Sequence, residues 1–406
     1  MQYYQLLQGV IIMPAINTAY RKNSSLSFHK LYRPAQKILP KAPLLQSKGD
    51  RPLKMNFEDQ LKALIFYHLE EHSSGRHLVQ VLKQDDFARR HIAPEDGIEK
   101  SSFFEAVNGR GLEQLQFVYR NLCQEASVVL PARHAHLGNL TAIDGSLIDA
   151  VLSMTWADYR KHTKKAKIHL GFDINKGVPT KLHLTEGKAG ERPFVSQILD
   201  PGQTGVCDRG YQDHVLFDSL QAEGKYFIIR IKSNTVKTLV RQNNVPTGSP
   251  VFHDAEVLLG SDQNKTQTQT SVRLVAYRIN GTDYWIATNR RDLTAEQIAE
   301  AYKLRWEIET FFAWWKRHLK VYHLIARSQY GLMVQIYAGL ITYLLLAIYC
   351  QEVYKERVSI KRVRELRIQI QNELREAGSS SDDYFFKESR RRSRREQHHD
   401  RLYAKT

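Results

Sequence analysis

Residues 140–151 read LTAIDGSLIDAV, residues 167–174 KIHLGFDI, residues 178–187 VPTKLHLTEG and residues 204–211 TGVCDRGY. These are short apolar runs closed by turn residues, with Gly171, Gly177 and Gly187 as punctuation, the pattern of strands rather than helices. FVSQILD at 194–200 opens a helix, DHVLFDSLQAEG at 213–224 reads as a second, and GKYFIIRIK at 224–232 follows as a buried strand. Strands alternating with helices predict an α/β fold. Further on, 233–290 is wholly β: period-2 runs such as SVRLVAYRI (271–279) and DYWIATN (283–289) are joined by polar turns. Lying between two mixed stretches, this segment reads as an inserted subdomain. Helix returns after Thr294, an N-cap residue, and is expected to run through AEQIAEAYKLRWEIETFFAWWKRHL at 295–319.

On the N-terminal side, 56–127 reads as helices. FEDQLKALIFYHLEE (57–71) has apolar residues at helical spacing, and SSFFEAVNGRGLEQLQFVYRNL (101–122) gives two pieces broken at Gly109 and Gly111. That break suits a helix-turn-helix, and equally a small bundle with no DNA contact. The first fifty residues, with Pro34, Pro40, Pro43 and scattered Lys and Arg, read as a loose arm. The expected organisation is a basic flexible arm at 1–50, a helical DNA-binding domain at 51–135 and the first part of the core at 136–232. A β insertion at 233–292, the second part of the core at 293–352 and a charged tail at 353–406 complete it.

Of 406 residues, 59 are Lys or Arg against 43 Asp or Glu, a net charge of +16 that points to a polyanionic partner. With 42% hydrophobic and 25% charged residues, general disorder and fibrous classes are excluded. The three cysteines have no CxxC spacing, which argues against a disulfide framework or a Cys-built zinc site and for a reducing cytoplasm. His162, His169 and His183 also lack zinc-ligand spacing. No secretory signal is read in the first fifteen residues. LMVQIYAGLITYLLLAIYC at 332–350 nearly reaches spanning length, but it carries Gln335 and Thr342 and has no second such segment. It is expected to be a core helix, with no membrane partner.

Three acids stand apart. Asp144 follows the apolar run 140–143 and Asp208 follows 205–207, each at a strand exit, where carboxylates converge at one sheet edge. Such residues can also be plain turn caps. Glu309 lies on the helix after Thr294. At about 100° per residue, Tyr302, Arg305, Glu309 and Lys316 share one stripe, Trp306 lies on the same side and Glu307 lies opposite. Carboxylates at two strand ends and one helix suit hard divalent cations. Two such ions about 3.5–4 Å apart support phosphoryl transfer, with Arg and Lys alongside to hold phosphates. RKHTKKAKIH at 160–169 is expected to be a DNA-facing hairpin.

The run YKLRWEIETFFAWWK, Tyr302 to Lys316, carries Tyr-x2-Arg-x3-Glu-x6-Lys and resembles the signature of DDE transposases of the IS4 family. AIDGSLI around Asp144 and VCDRGY around Asp208 resemble that family's two aspartate motifs, and the resemblance covers about residues 56 to 352. It departs only in Gly145–Ser146, a position that varies in the family. The resemblance implies a ribonuclease-H-like mixed-sheet core with an all-β insertion, preceded by a small helical domain. It implies Asp144, Asp208 and Glu309 as a catalytic triad binding two Mg2+ or Mn2+ ions. Tyr302, Arg305 and Lys316 would contact phosphates, Trp306 would lie beside a displaced base, Trp285 would wedge into DNA, and Arg209 follows the family pattern. The implied activity is cleavage and strand transfer at terminal inverted repeats, cut-and-paste, with a hairpin intermediate as one route. The implied partners are double-stranded DNA, transposon ends and target, and a second copy of the chain in a homodimer. The implied location is the cytoplasm, at the nucleoid. Two rivals stand beside this reading: a domesticated, non-catalytic DNA-binding relative, and a ribonuclease-H-like nuclease that does not join strands.

Overall fold

The computed structural model describes residues 27–46, 53–85, 87–94, 97–151, 153–160, 163–245, 247–321 and 323–373. Its centre is a ten-stranded mixed sheet. The strands are β1 (Leu140–Asp149), β2 (Asp158–Arg160), β3 (Thr163–Asp173), β4 (Val178–Glu186), β5 (Thr204–Cys207), β6 (Tyr226–Arg230), β7 (Lys237–Gln242), β8 (Val251–Leu259), β9 (Val272–Ile279) and β10 (Thr282–Thr288). They lie in the order β2-β3-β1-β5-β6-β10-β9-β8-β7, with β4 also paired to β3. β1, β3 and β4 form an antiparallel meander. β5 and β6 then add in parallel on the far side of β1. This meander plus parallel pair is the ribonuclease-H-like arrangement.

The 233–292 segment is all β, but its strands extend the central sheet instead of forming a sheet of their own. β10 pairs antiparallel with β6 over Ile286↔Arg230 to Thr288↔Ile228, and β9, β8 and β7 continue outward. The physical reason is the edge. β6 would otherwise present a row of unpaired N–H and C=O groups, and the return strand covers it. One face of β8 and β9 (Ala255, Val257, Leu259, Leu274) packs with Val195, Ile198, Phe217 and Leu220 from α6 (Pro193–Ile198) and α7 (His214–Ala222).

The opposite face carries the larger core. It runs without interruption from Phe28 to Ile370 and is organised by α10 (Gln329–Tyr354), 26 residues long. Around α10 pack α1 (Ser27–Ile38), α2 (Phe57–Leu69), α4 (Lys100–Gly109), α5 (Leu112–Val129) and β4, while α3 (Gly75–Gln84) packs against α4. The most apolar window of α10 is 94% buried, so its membrane-like length is spent on this core. Its interior polar groups are satisfied, as buried ones must be. Gln335 accepts from the Ile325 N–H at 3.0 Å and donates to the His323 carbonyl at 2.8 Å, and Thr342 donates to the Ala338 carbonyl at 2.8 Å. The helix break read at Gly109–Gly111 is present, and α5 turns Leu115, Val118, Tyr119, Leu122 and Ala126 inward.

The N-terminal reading needs correction. Residues 27–38 are a packed helix, not part of a flexible arm: Phe28, Leu31, Tyr32 and Ala35 are all essentially inaccessible. Their spacing is helical, and Pro34 lies inside the helix without ending it. The Glu373 carboxylate accepts from the Ser27 N–H at 2.9 Å and from its hydroxyl at 2.7 Å, satisfying the first turn of α1. Glu373 belongs to a helical stretch over 360–373 whose Val363, Leu366 and Ile370 are buried, so the charged tail begins as a packed helix. The arginine-rich run 387–402 lies outside the described residues.

Candidate active site

The first two acids are brought together by sheet register. β1 and β5 pair in parallel from Leu140↔Thr204 to Ala142↔Val206. Beyond that, β5 ends at Cys207, while β1 continues on β3 alone, with Asp144 opposite Leu170. Asp144 is therefore mid-strand, not at a strand end as its sequence suggested: only the pairing to β5 stops. Two residues past the last pair on each strand stand Asp144 and Asp208, side by side and on the same face by the period of two. Asp144 Oδ1 accepts from the Gly145 N–H at 2.8 Å. Asp208 Oδ1 accepts from the Gly210 N–H at 2.8 Å, capping the turn 209–211, so the cap reading of this residue is also true of one of its oxygens.

The charge of Asp144 is disfavoured. Burial is the largest cause, the Gly145 N–H opposes it, and the carboxylates of Glu191 and Asp208 add to it, so the carboxyl is pushed up to about 7. Arg305 pulls the other way.

Arg305 sits at a break in the helix expected to be continuous from 295 to 319. α8 (Ala295–Lys303) opens on the Thr294–Gln297 capping box. It packs on β5, β6, β8 and β9, whereas α9 (Trp306–His318) packs on β1. A twisted sheet turns these strands out of line, and one straight helix would not follow both. The junction is made by i→i+3 bonds, Arg305 N–H to the Tyr302 carbonyl at 3.1 Å and Ile308 N–H to the Arg305 carbonyl at 3.3 Å. The side chains still meet. The Arg305 guanidinium lies 5.9 Å from the Tyr302 ring centre, 5.1 Å from that of Trp306 and 2.5 Å from Glu309 Oε1. Arg305 is 8% exposed; burial works against its charge, but Glu309, Tyr302 and Asp208 outweigh it and raise its pKa. Lys316 Nζ donates at 2.9 Å to the Leu147 carbonyl, three residues past Asp144 on β1. Burial lowers its pKa, with Asp144 and Asp149 opposing. Glu307 points elsewhere, to Arg357 at 3.3 Å.

Asp144, Asp208, Tyr302, Arg305, Glu309 and Lys316 thus share one neighbourhood. Among the described residues, no three His, Cys, Asp or Glu side chains are already gathered as an ion-binding group; Glu309 is held by Arg305 instead. Trp306 is 61% exposed beside them. Trp285 packs apart, on β10, with Phe252 and His253 at 5.7 and 5.3 Å and Lys237 Nζ 4.8 Å from its ring centre. Arg209 is exposed on the turn after Asp208. His169 stacks on Phe194 at 4.0 Å and His183 lies tilted against it at 5.3 Å, a packing role. His162 lies outside the described residues. Sequence reading missed Glu191 and Tyr211, both of which act on this neighbourhood. No sequence signal marked Glu191: its approach to Gly145, where a Cβ would come within 2.6 Å of Glu191 Oε1, exists only in three dimensions.

Fold and acid placement are those of a ribonuclease-H-like domain with its acids where β1 and β5 diverge. The transposase DDE domain family matches residues 136–345, just over half of the sequence, and the chain belongs to that family. It is 29% identical over 214 residues to a putative transposase of Sinorhizobium fredii, covering 52% of this chain and 60% of that protein. It is 30% identical over 198 residues to a probable transposase for insertion sequence element IS5377 of Geobacillus stearothermophilus, covering 48% and 52%. A putative transposase for insertion sequence element IS4SA of Synechocystis is 24% identical over 266 residues, covering 64% and 74%. The chain spans about half to three fifths of the length of the first two relatives. Among solved structures, a piggyBac transposase synaptic complex with hairpin DNA overlaps 86% of this chain and 80% of that one, at TM-score 0.39 and 12% identity.

Proposed function

We propose that the chain is the transposase of an insertion sequence, cleaving DNA at terminal inverted repeats and joining the freed 3′ end to a target. The observation that carries this is the placing of Asp144 and Asp208 each two residues past the last β1–β5 pair, close enough to the Arg305–Glu309 pair for Arg305 to interact with both aspartates.

Asp144, Asp208 and Glu309 would hold two magnesium or manganese ions. The donor set fits: all its ligating atoms are carboxylate oxygens, and the partner of Glu309 is a cation, Arg305. Such ions, when bound, neutralise phosphate charge and acidify an attacking water. The chain's own residues hold the substrate. Arg305 offers a planar fork to phosphate oxygens and Lys316 a point charge. Exposed Trp306 offers a face on which a displaced base can stack. The β2–β3 hairpin with Arg160, Lys164 and Lys165 adds non-specific phosphate contacts, and Arg209 and Trp285 are proposed as peripheral DNA contacts. In the first step a water oxygen bonds to phosphorus as the P–O3′ bond breaks, leaving a 3′ hydroxyl on the element. In the second, that hydroxyl gives up its proton and its oxygen bonds to another phosphorus, on the opposite strand to form a hairpin or on target DNA, while that phosphorus's own P–O3′ bond breaks and the departing oxygen takes up a proton as a new 3′ hydroxyl. Positioning carries both steps without a covalent protein intermediate. Cutting two ends together calls for a homodimer in the cytoplasm, at the nucleoid.

The test uses a labelled duplex cut from the inverted repeats flanking the gene, a plasmid target and Mg2+. Joining of the element's 3′ end to the plasmid is expected. Cleavage without joining would leave a nuclease, and binding with neither would leave a DNA-binding relative.

A further inference from the structure

We propose that the cavity where the ends of α2 and α9 meet the helical stretch over 360–373 is a phosphate-binding site that grips the backbone of duplex DNA outside the candidate active site; this rests on the DNA-processing reading above.

The cavity holds about 250 Å³, and among the described residues Arg317, Lys320, Arg364 and Arg367 line it against one acid, Glu71, an excess of +3. Part of that charge has local work, because cations belong at helix C-termini, where carbonyls lack partners. Arg367 donates to the Leu69 carbonyl at the end of α2 and, at 3.1 Å, to the His318 carbonyl at the end of α9, and it lies 2.7 Å from Glu71 Oε1. Lys320 Nζ lies 3.6 Å from Glu71 Oε2. Arg317 and Arg364 are left over: both are exposed, and neither has an ion-pair partner among the described residues. They nonetheless surround one ring with Arg367. Burial lowers the His318 pKa, Glu71 opposes, and Arg317, Arg367 and Arg364 lower it further. Like charges gathered in this way repel one another, and an anion among them removes the repulsion.

The backbone points the same way. Glu71 and Lys320 stand in the left-handed region, at φ 55° and 51°, each one residue past the C-cap of α2 or α9. Glycine is the usual occupant of that position, because it bears no Cβ. Both helices instead place a charged side chain there, and both side chains line this cavity. Unfavourable backbone is thus accepted at two helix ends to furnish one site.

Phosphate matches the donors, since a guanidinium offers a planar fork and an ammonium a point charge. Duplex DNA is the source that the position favours. Arg317 lies eight residues beyond Glu309 on α9, about 12 Å along the helix axis. B-DNA carries a phosphate charge about every 1.7 Å of its length. A duplex with its scissile phosphate at Glu309 therefore has other phosphates within reach of Arg317 and Arg364.

The test measures affinity of the full chain for the labelled terminal-repeat duplex over a range of salt, in EDTA so that no strand is cut. The double variant Arg317→Ala, Arg364→Ala is expected to bind about ten-fold more weakly at about 0.1 M salt, with a log-affinity against log-salt slope shallower by about two. Arg317→Lys with Arg364→Lys should keep the wild-type slope, because the slope counts charges. Lys30→Ala with Lys37→Ala, which removes two exposed cations of α1, should also keep it; an equal change there would make the effect one of net charge and overturn the site. An unchanged slope in the arginine-to-alanine variant overturns the proposal. If tripolyphosphate then raises the melting temperature of the wild type and not of that variant, the cavity takes a free phosphate compound in place of DNA. A wild-type chain that binds no duplex at all would sink the proposed function first, and this inference with it.

Discussion

Asp144 is a carboxyl placed where its own charge is unwelcome, and the sign of the consequence can be worked out. Its folded pKa of about 7 lies above the ordinary carboxyl value of about 3.9. Below about pH 4 it is protonated in both states and costs nothing. As pH rises toward 7 the unfolded chain ionises more readily, and folding loses up to about 4 kcal/mol from this residue. Asp144→Asn should therefore raise the melting temperature of the metal-free protein at pH 8, with the advantage shrinking as pH falls toward 4.5. A difference independent of pH would contradict this origin of the shift. Arg305→Ala should impair joining or hairpin formation more than the first nick, because joining needs the freed end held in register. A charge-assisted phosphate contact is worth about 1.5–3 kcal/mol. Glu307→Gln is the control, since Glu307 faces Arg357 rather than Arg305; comparing nick, hairpin and joining yields on one labelled substrate checks both. Asp144 and Asp208 stood out because each follows a short apolar run, and the Tyr302–Lys316 stripe because its spacing is helical. Glu191 did not: a single acid in a glycine-punctuated loop has no period to betray it, and only its approach to Gly145 in three dimensions sets it apart.

At the scale of elements, two expectations failed for local reasons. The stripe arithmetic assumed one helix, and the turn at Leu304–Arg305 interrupts it; the stripe survives because Tyr302, Arg305 and Glu309 stay in contact across the junction. α1 was hidden by Pro34, which reads as a breaker although Phe28, Leu31, Tyr32 and Ala35 keep helical spacing. Because Phe28 is fully buried among Tyr32, Phe66 and Phe87, Phe28→Ala should cost about 3–5 kcal/mol in denaturant unfolding. A flexible arm would lose less than about 0.5 kcal/mol. The strands of 233–292 were each readable from their period, but nothing in a period tells which edge a strand will join, so their continuation of the central sheet became visible only with β10 paired on β6.

On the scale of the whole molecule, a single core from Phe28 to Ile370 joins the helical layer to the sheet that carries the candidate site. The excess charge of +16 is uneven: residues 387–402 alone hold seven Lys or Arg against three acids. Deleting them should make the log-affinity against log-salt slope for DNA shallower, through fewer released counterions; an unchanged slope would assign the tail another task. In the proposed function Asp144, Asp208 and Glu309 form one metal-dependent centre for DNA strand cleavage. It is tested most directly by measuring cleavage of the labelled terminal-repeat duplex in Mg2+ for wild type, Asp144→Asn, Asp208→Asn and Glu309→Gln. Each variant should bind the duplex as wild type does and leave it uncut, and chelation of the metal should silence the wild type; near-normal cleavage by any of the three, or cleavage that survives chelation, would contradict the account.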